Sequence, residues 1–582
     1  MKDFIVSIFI LNTFFCLTLN SQPFRYEWAR SFGGNQSEYP RLMKVDKNGD
    51  IYIVSDTESE YFSVDGKFHF RWLNSFERPI SAFILKYSRS GSLLWGKAIR
   101  PEYGVVSTGL TVLEDNSIVI SLNPIGGHLY LDSILISKSA DSHYRTVIIK
   151  LSSEGEMLNK EEFYSNIEVD NSGGIESDRN GNLYLISKSR GHLLNSKGDT
   201  LYRSNLAVGY NFFLIKMDSN FNILWMKTTY NSNIYLWDLK IDLEDNIIVC
   251  GAFEGRDLKI DSFVIKNSET IYHPTVGLGD LEIFMLKLSA EGRVLWLKSL
   301  EGKDAEYPSY GSITFDEENN IYLSGAFESD TLRFNPIISL YKQRNPLDHF
   351  DIFYTKYDKS GECVWARQFM NGYGGLEFVS SHLLRNNYLV ITGNYFSSHL
   401  LFGSTDLENR GNGDVYVLLA RNDGEILGGV TIGEEEDEYS YQIASDANQV
   451  YILSSFGSKE LRFGDGYISN DTTTGTLDGL FIKYRLDSLL SVEDKEVSMD
   501  GSVTIYPNPA SESITVQLEA PSHEVLMYYN LYTINGLFVN SGILQGNPAE
   551  ISVQHLPAGT YLLKGATREG KIYVGRFIKN GE

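Results

Sequence analysis

The stretch FMLKLSAEGRVLW, Phe284 to Trp296, followed after a variable segment by ITFDEENNIYLSGAF, Ile313 to Phe327, decides the fold. An apolar run carrying Lys287 reaches a turn at Glu291-Gly292, a second run closes on Trp296, and two further short runs flank an Asp/Asn turn at Asp316 to Asn320. Runs of about four to eight β-branched and aromatic residues, broken by Gly, Asn and Asp clusters, are the pattern of half-buried strands, and no helical period competes with it. The stretch outlines four strands, and it recurs.

Aligned on the residue that opens the Lys-bearing strand, the chain gives Phe83, Val147, Phe213, Phe284, Phe353, Val415 and Phe481, at intervals of 62 to 71 residues. Twelve residues after the opener stand Trp95, Asn159, Trp225, Trp296, Trp365 and Leu427, whereas the seventh opener reaches Glu493, beyond any strand. Asp/Asn turns also number seven, beginning at Asp46, Glu114, Asp178, Glu244, Asp316, Arg385 and Asp446, and Asn48-Gly49 and Asn180-Gly181 read as two-residue hairpin turns. One four-stranded unit cannot bury both faces, so neighbours must stack around an axis. The expected fold is all-β: a seven-bladed β-propeller over residues 22-488.

Closure is expected from the offset. The last unit supplies three strands and Tyr26 to Phe32, which holds the displaced Trp28, supplies the fourth, pairing an edge that would otherwise stay open. The repeated Trp is expected to be wedged between blades as a packing residue. The run WARSFGG (Trp28 to Gly34), then VDKNGDIYIV, then FILKYS with a later Gly and Trp95, resembles the SBBP type of bacterial β-propeller repeat. Asn159 and Leu427 depart from its Trp.

The 42% apolar content, with 36 Tyr and 32 Phe against 14 Pro, describes a folded chain. The formal charge of -24 argues against nucleic acid as a partner, because phosphate contacts need Lys or Arg. Met1 to Leu19 pairs Lys2 with a short apolar core, too short to span a bilayer, so residues 1-21 read as a cleaved signal peptide that leaves no transmembrane segment in the mature chain. Phe14 and Phe15 precede Cys16 where a lipidation site wants small residues. Cys250 and Cys363 then fall in different repeats, so stability is expected from packing rather than disulfides.

Residues 489-502, LLSVEDKEVSMDGS, read as a linker. Residues 503-582 form a separate module, with alternating strands, an Asn535-Gly536 turn and five Lys/Arg against six Asp/Glu, the expected pattern of a small antiparallel β-sandwich of Ig-like type. YPNPA near its start, the LYTINGLFV turn, LPAGTYLL and a Lys-bearing last strand are similar to the type A C-terminal sorting domain of the type IX secretion system. The resemblance implies a Bacteroidota protein, with the secretion machinery as partner and a surface-attached or released product. Its recognition pattern falls on Tyr506, Pro507, Asn508, Pro509, Gly536, Pro557, Gly559, Tyr561, Lys571 and Lys579.

No H-E-x-x-H pair, G-x-S-x-G elbow or phosphate-cradling G-x-x-x-x-G-K-[ST] occurs, so no catalytic residue and no cofactor is assigned. Asp46-x-Asn48-x-Asp50 opens like a calcium loop, but Ile51 and Thr57 stand where Gly and Glu are needed, so no metal is assigned. Blade-to-blade connections and long middle loops share one end of the blades, where loops carry function. There Glu38-Tyr39, Glu102-Tyr103, Glu306-Tyr307 and Glu438-Tyr439 repeat an acid-aromatic pair. It suits recognition of a glycan, peptide or cation, or it repeats because the junction repeats. An exported binding or adhesion module for an extracellular glycan or protein is the expected function, with a hydrolase or lyase acting on polysaccharide or peptide as the alternative.

Overall fold

The computed structural model describes residues 23-486 and 503-580, apart from 65-67, 72-79, 139-144, 166-167, 171-173, 204-210, 230-232, 268-280, 343-350, 369, 372-377, 386-387, 403-404, 447-448, 464-465, 471-474, 519-525, 535-537, 555 and 568-571. The expected signal peptide and linker, and Gly536 and Lys571, therefore lie outside the described residues. Those described form strands and turns without a helix, and none of them forms a helix long and apolar enough to cross a membrane.

Seven four-stranded antiparallel units follow one another. Unit one is Glu38–Val45, Ile51–Thr57, Ser81–Tyr87 and Leu93–Pro101; unit two is Val105–Val112, Ile118–Pro124, Arg145–Leu151 and Met157–Ser165. Unit three opens with the interrupted pair Glu168–Asp170 and Ile175–Ser177, then continues through Leu183–Arg190, Asn211–Met217 and Ile223–Thr228. Unit four is Asn233–Ile241, Ile247–Glu254, Glu282–Leu288 and Val294–Ser299; unit five is Glu306–Phe315, Ile321–Phe327, Asp351–Tyr357 and Cys363–Gln368. Unit six is Phe378–Arg385, Tyr388–Tyr395, Asp414–Arg421 and Ile426–Ile432, and unit seven is Glu438–Asp446, Gln449–Phe456, Asp478–Leu486 and the N-terminal strand Phe24–Gly34.

That N-terminal strand pairs antiparallel with Asp478–Leu486 from Phe24↔Leu486 to Phe32↔Gly479. The first strand of each unit packs beside the first strand of the next, and Glu438–Asp446 of unit seven packs back on Glu38–Val45 of unit one. Middle strands such as Ile51–Thr57 and Ser81–Tyr87 are buried along their whole length, because each sheet is covered on both faces by its neighbours.

The residues that define the repeat meet at the joints between units. The Trp28, Trp95, Trp225, Trp296 and Trp365 rings lie against Gly91, Gly155, Gly292, Gly361 and Gly424 of the following unit, close enough that a Cβ on any of these glycines would stand only 3.0 to 3.3 Å from the indole. Each of these glycines has positive φ, so both the conformation and the contact require it. The Trp95, Trp225, Trp296 and Trp365 indole N–H groups donate to the carbonyls of Ser153, Ala290, Lys359 and Asn422 in the same turns. The Lys of the motif reaches the same turn or its own unit's Asp: Lys287 Nζ is 2.9 Å from Asp242, and Lys356 Nζ is 3.1 Å from Asp316.

Asn159 has a physical reason to depart from Trp. The turn it faces has Phe221 at φ 69° where the others have Gly, so a Trp would meet a side chain there; Asn159 instead donates to the Asn220 carbonyl at 3.0 Å.

In units one to five the Asp/Asn turns are three-residue loops. Gly49 N–H donates to Asp46 O, Asp46 N–H donates to Asp50 O, only Gly49 of Asn48-Gly49 takes positive φ, and the Asp46 carboxylate accepts from the Asn48 and Asp50 N–H groups. The Asp thus caps the loop, which is why it opens the motif. Each long middle loop also carries a small hairpin, such as Tyr61–Val64 with Phe68–Arg71 and Leu129–Leu131 with Ile134–Ser137. In units one to three the hairpin continues the outer strand of the preceding unit, through Gly33↔Ser63, Leu129↔Pro101 and Phe163↔Asn195.

The C-terminal module has a three-stranded sheet (Val503–Tyr506, Ser513–Leu518, Ala549–Ser552) and a four-stranded sheet (Phe538–Gln545, Leu526–Thr533, Gly559–Thr567, Ile572–Lys579) around one core that includes Ile514, Val516, Met527, Leu531, Leu563 and Phe577.

Candidate functional site

The first strands of the units share a repeated backbone device near their starts. Five first strands carry the same one-residue register shift, at Pro40/Leu42, Ser107/Gly109, Leu236/Asp238, Val379/Ser381 and Ser440/Gln442, and unit five has a larger one at Pro308/Ile313. A bulge leaves one residue out of the ladder and re-aims its side chain. In four of these strands that residue is Arg41, Thr108, Trp237 or Tyr441, all of different chemistry on one scaffold. Two residues earlier, on the same strand face, stand Tyr39, Val106, Tyr235 and Tyr439, and Tyr307 opens unit five in the corresponding place.

The acids next to these tyrosines are deep in the junctions. Glu38, Glu306 and Glu438 are 0%, 1% and 0% exposed. Glu38 accepts from Thr57 Oγ1 at 3.0 Å and Ser59 Oγ at 2.5 Å, Glu306 accepts from the Ser329 hydroxyl, and Glu438 accepts from the Ser458 N–H at 3.1 Å. These serines in turn accept loop N–H groups from Gln36, Lys303 and Glu436, so acid and serine together fold each connection. A third-strand acid of the preceding unit lies against each: Asp478 by Glu38, Glu282 by Glu306 and Asp414 by Glu438. Burial pushes Glu38 well above the usual carboxylate range, Glu306 up to about 9 and Glu438 up to about 7, and the neighbouring acid adds to each.

Glu102-Tyr103 is placed differently. Val105 makes the junction hydrogen bond, to Ile80 O, that Glu38 makes to Leu477 O, while Tyr103 is 60% exposed on the loop outside. Glu102 accepts from the His128 N–H and approaches its ring Nδ1, both at 2.9 Å, and these bonds hold it below the usual range.

The carboxylates that face the tyrosines come from the end of the second strand. Glu58 faces Tyr39, Glu254 faces Tyr235 and Glu328 faces Tyr307; burial first, and these acids second, raise the phenol pKa values. The dipeptide pattern misses Tyr235 because Ile234 precedes it. Counting back seven positions from the turn residues Asp46, Asp242 and Asp446 would have found Tyr39, Tyr235 and Tyr439 together.

An ion-pair chain links the first strands of units one, three and four. Lys44 of unit one meets Glu176 of unit three at 2.7 Å, Glu176 meets Lys240 of unit four at 3.2 Å, and Lys240 meets Asp238 at 2.8 Å. Burial raises the Glu176 pKa, but the two lysines outweigh it and the acid titrates below its ordinary range. The first strands of units one and three are not consecutive, so this chain ties together units that are not sequence neighbours. Among the described residues no group of three or more His, Cys, Asp or Glu is arranged to hold a metal ion. Cys250 and Cys363 are buried free thiols, and burial pushes Cys363 up to about 12.

In the C-terminal module the motif residues gather on the last strand. Asn508 accepts from the Ile578 N–H at 2.9 Å and donates to Arg576 O at 3.1 Å; Tyr561 stacks on Phe577 at 5.4 Å and donates to Pro557 O; Gly559 pairs with Lys579, which is 6% exposed. Tyr506 is 43% exposed, and Pro507 and Pro509 flank Asn508 in the clamp. Residues 504–580 match the family described as secretion system C-terminal sorting domain.

The C-terminal module is a sorting domain. It sends the protein through the type IX secretion system to the cell surface or the extracellular space. Over 200 residues the chain is 26% identical to an uncharacterized WD repeat-containing protein of Acanthamoeba polyphaga mimivirus, a match covering 32% of this chain and 14% of that relative's length. Among solved structures, an extracellular domain from B. thetaiotaomicron is similar at 12% identity, with 96% of this chain and 100% of that one covered and a TM-score of 0.14. The acylaminoacyl peptidase of Pyrococcus horikoshii is similar at 10% identity, 84% and 58% coverage and a TM-score of 0.35, and the apocarotenoid oxygenase of Synechocystis at 9%, 70% and 95%, with 0.31.

Proposed function

We propose that the seven units are the blades of a propeller of SBBP type, closed by the N-terminal strand, and that the sorting domain delivers it outside a Bacteroidota cell as a non-catalytic binding module. The observation that carries this reading is the recurrent bulge, which holds Arg41, Thr108, Trp237 and Tyr441 at equivalent places of one mouth. A fixed backbone device with variable side chains is how rigid scaffolds are adapted to ligands. The junction acids Glu38, Glu306 and Glu438 act in this reading as latches for the connections that shape the mouth, and the neighbouring tyrosines, with Glu58, Glu254 and Glu328, supply contacts.

The test is a glycan and peptide binding screen on the secreted protein, run beside hydrolysis and lyase assays. Saturable binding weakened by Tyr39→Ala or Tyr441→Ala, without turnover, is the expected result. Substrate turnover that depends on Glu58, Glu254 or Glu328 would replace the binding reading with the enzymatic one.

Export has its own expected outcome. A chain lacking residues 503-582 accumulates in the periplasm, as read by fractionation, and Asn508→Ala, which removes the clamp on the last strand, lowers the surface fraction severalfold. Undiminished surface delivery of the truncated chain would overturn the role given to the sorting domain.

A further inference from the structure

The mouth between units four and five gathers three aromatic rings and two acids. Tyr235 and Trp237 share one face of Asn233–Ile241, with ring centroids 6.0 Å apart and planes inclined by 45°, and Trp237 meets Tyr307 of the next unit at 6.3 Å and 70°. All three side chains are partly exposed. Glu254 pairs across the ladder with Asn233, two residues from Tyr235 on the same strand face, and Glu328 follows Phe327, the ladder partner of Glu306 beside Tyr307. Rings inclined to one another wall a recess rather than forming the flat platform on which a sugar face stacks, and their π faces carry negative potential. One face is already used in this way: Lys188 Nζ of unit three lies 5.4 Å from the Tyr235 ring centroid. Long-range charge acts in the same direction, since the formal charge of -24 attracts cations to the surface.

The geometry points to a cation-binding recess, formed by Tyr235, Trp237 and Tyr307 with Glu254 and Glu328, that takes an arginine or lysine side chain of a partner polypeptide. This rests on the reading of the mouth as the recognition face and names the ligand chemistry. Trp237 supplies the central wall, because its ring meets both tyrosines. The acids supply charge complementarity and the dependence on salt. A guanidinium suits the recess better than an ammonium, because its plane can stack on one ring while its N–H fork addresses a carboxylate.

The test titrates the full secreted protein, labelled with 15N at tryptophan, with a hexa-arginine peptide, a hexa-glutamate peptide and cellohexaose, following the indole resonance that disappears in Trp237→Phe. Hexa-arginine is expected to shift that resonance saturably, more weakly as salt rises, and hexa-glutamate is expected to leave it still. Trp237→Ala and the double variant Glu254→Gln/Glu328→Gln should each weaken calorimetric affinity at least tenfold while melting within a few degrees of wild type. An unmoved indole resonance, or unchanged affinity in the double carboxamide variant, overturns the recess and assigns hexa-arginine binding to net charge elsewhere. If cellohexaose shifts the indole and hexa-arginine does not, the cation assignment fails while the mouth stands as a recognition face. If neither ligand moves it, and the wider screen finds no binder, the recognition face fails as well.

Discussion

Deleting Tyr26 to Phe32 should abolish the cooperative melt of the ring, or lower its midpoint by more than about 15 °C, while a chain lacking residues 503-582 keeps the full midpoint. The strand Phe24–Gly34 pairs along Asp478–Leu486 and continues into the hairpin of unit one through Gly33↔Ser63. It buries Phe24, Ala29 and Phe32 at 3%, 6% and 2% exposure, and Trp28 lies on Gly91. Truncation of a single packed aromatic costs about 3 to 5 kcal/mol. A domain has only about 5 to 15 kcal/mol in all, so removing two such groups with a ladder of backbone hydrogen bonds consumes most of it. Trp28→Ala alone should cost about 3 to 5 kcal/mol and raise hydrogen exchange in both Asp478–Leu486 and the Gly91 turn. An unchanged melting curve for the deletion would mean that the last unit is stable without its outer strand.

Much of the fold was legible because the repeat residues are bound to local geometry. Asp46, Asp178, Asp242 and Asp316 cap their own turns, and Lys and Trp sit at fixed distances along paired strands, so strand count and order could be read from spacing. The middle-loop hairpins were hidden, since strands of three or four residues such as Thr331–Arg333 hold too short an alternation to stand out. The bulges were hidden too, because an unpaired residue is defined by the register of a partner strand. Asn159 was visible as a departure, but its reason lies in the turn of the following unit at Asn220 and Phe221, distant in sequence and adjacent only in three dimensions. At the candidate site the repetition of Glu38, Glu306 and Glu438 was visible as a pattern. Their burial was not, because it depends on Ser59, Ser329 and Ser458 arriving about 20 residues later. The acid beside a tyrosine in sequence points into the junction, and the acid beside it in space comes from the next strand.

Those buried acids set the response to pH. Each has a folded pKa above its unfolded value, so the folded state binds more protons over the interval between the two. Its stabilising contribution is complete below the unfolded pKa, near 4.3 for Glu, and is lost as pH rises through the folded value. Asp414 titrates at about 6, Glu438 at about 7 and Glu306 at about 9, with burial the leading cause for all three. Glu282 and Asp304, both acids, act on Glu306, so ionisation there adds repulsion to desolvation. At about 1.4 kcal/mol per pKa unit, Glu306 alone accounts for several kcal/mol, order-of-magnitude, a sizeable part of a domain's stability. Acids held low, such as Glu176 between its lysines and Asp316 with Asn320 and Lys356, work in the opposite direction and lose their contribution as pH falls below about 4. The melting midpoint should therefore be highest near pH 5 and fall in steps toward pH 9, by more than about 10 °C in total. Glu306→Gln, which keeps a neutral group in the same latch beside Ser329, should flatten the fall above pH 7 while leaving the acid side unchanged. A Glu306→Gln profile parallel to wild type from pH 7 to 9 would show that ionisation at this junction is not what loosens the ring.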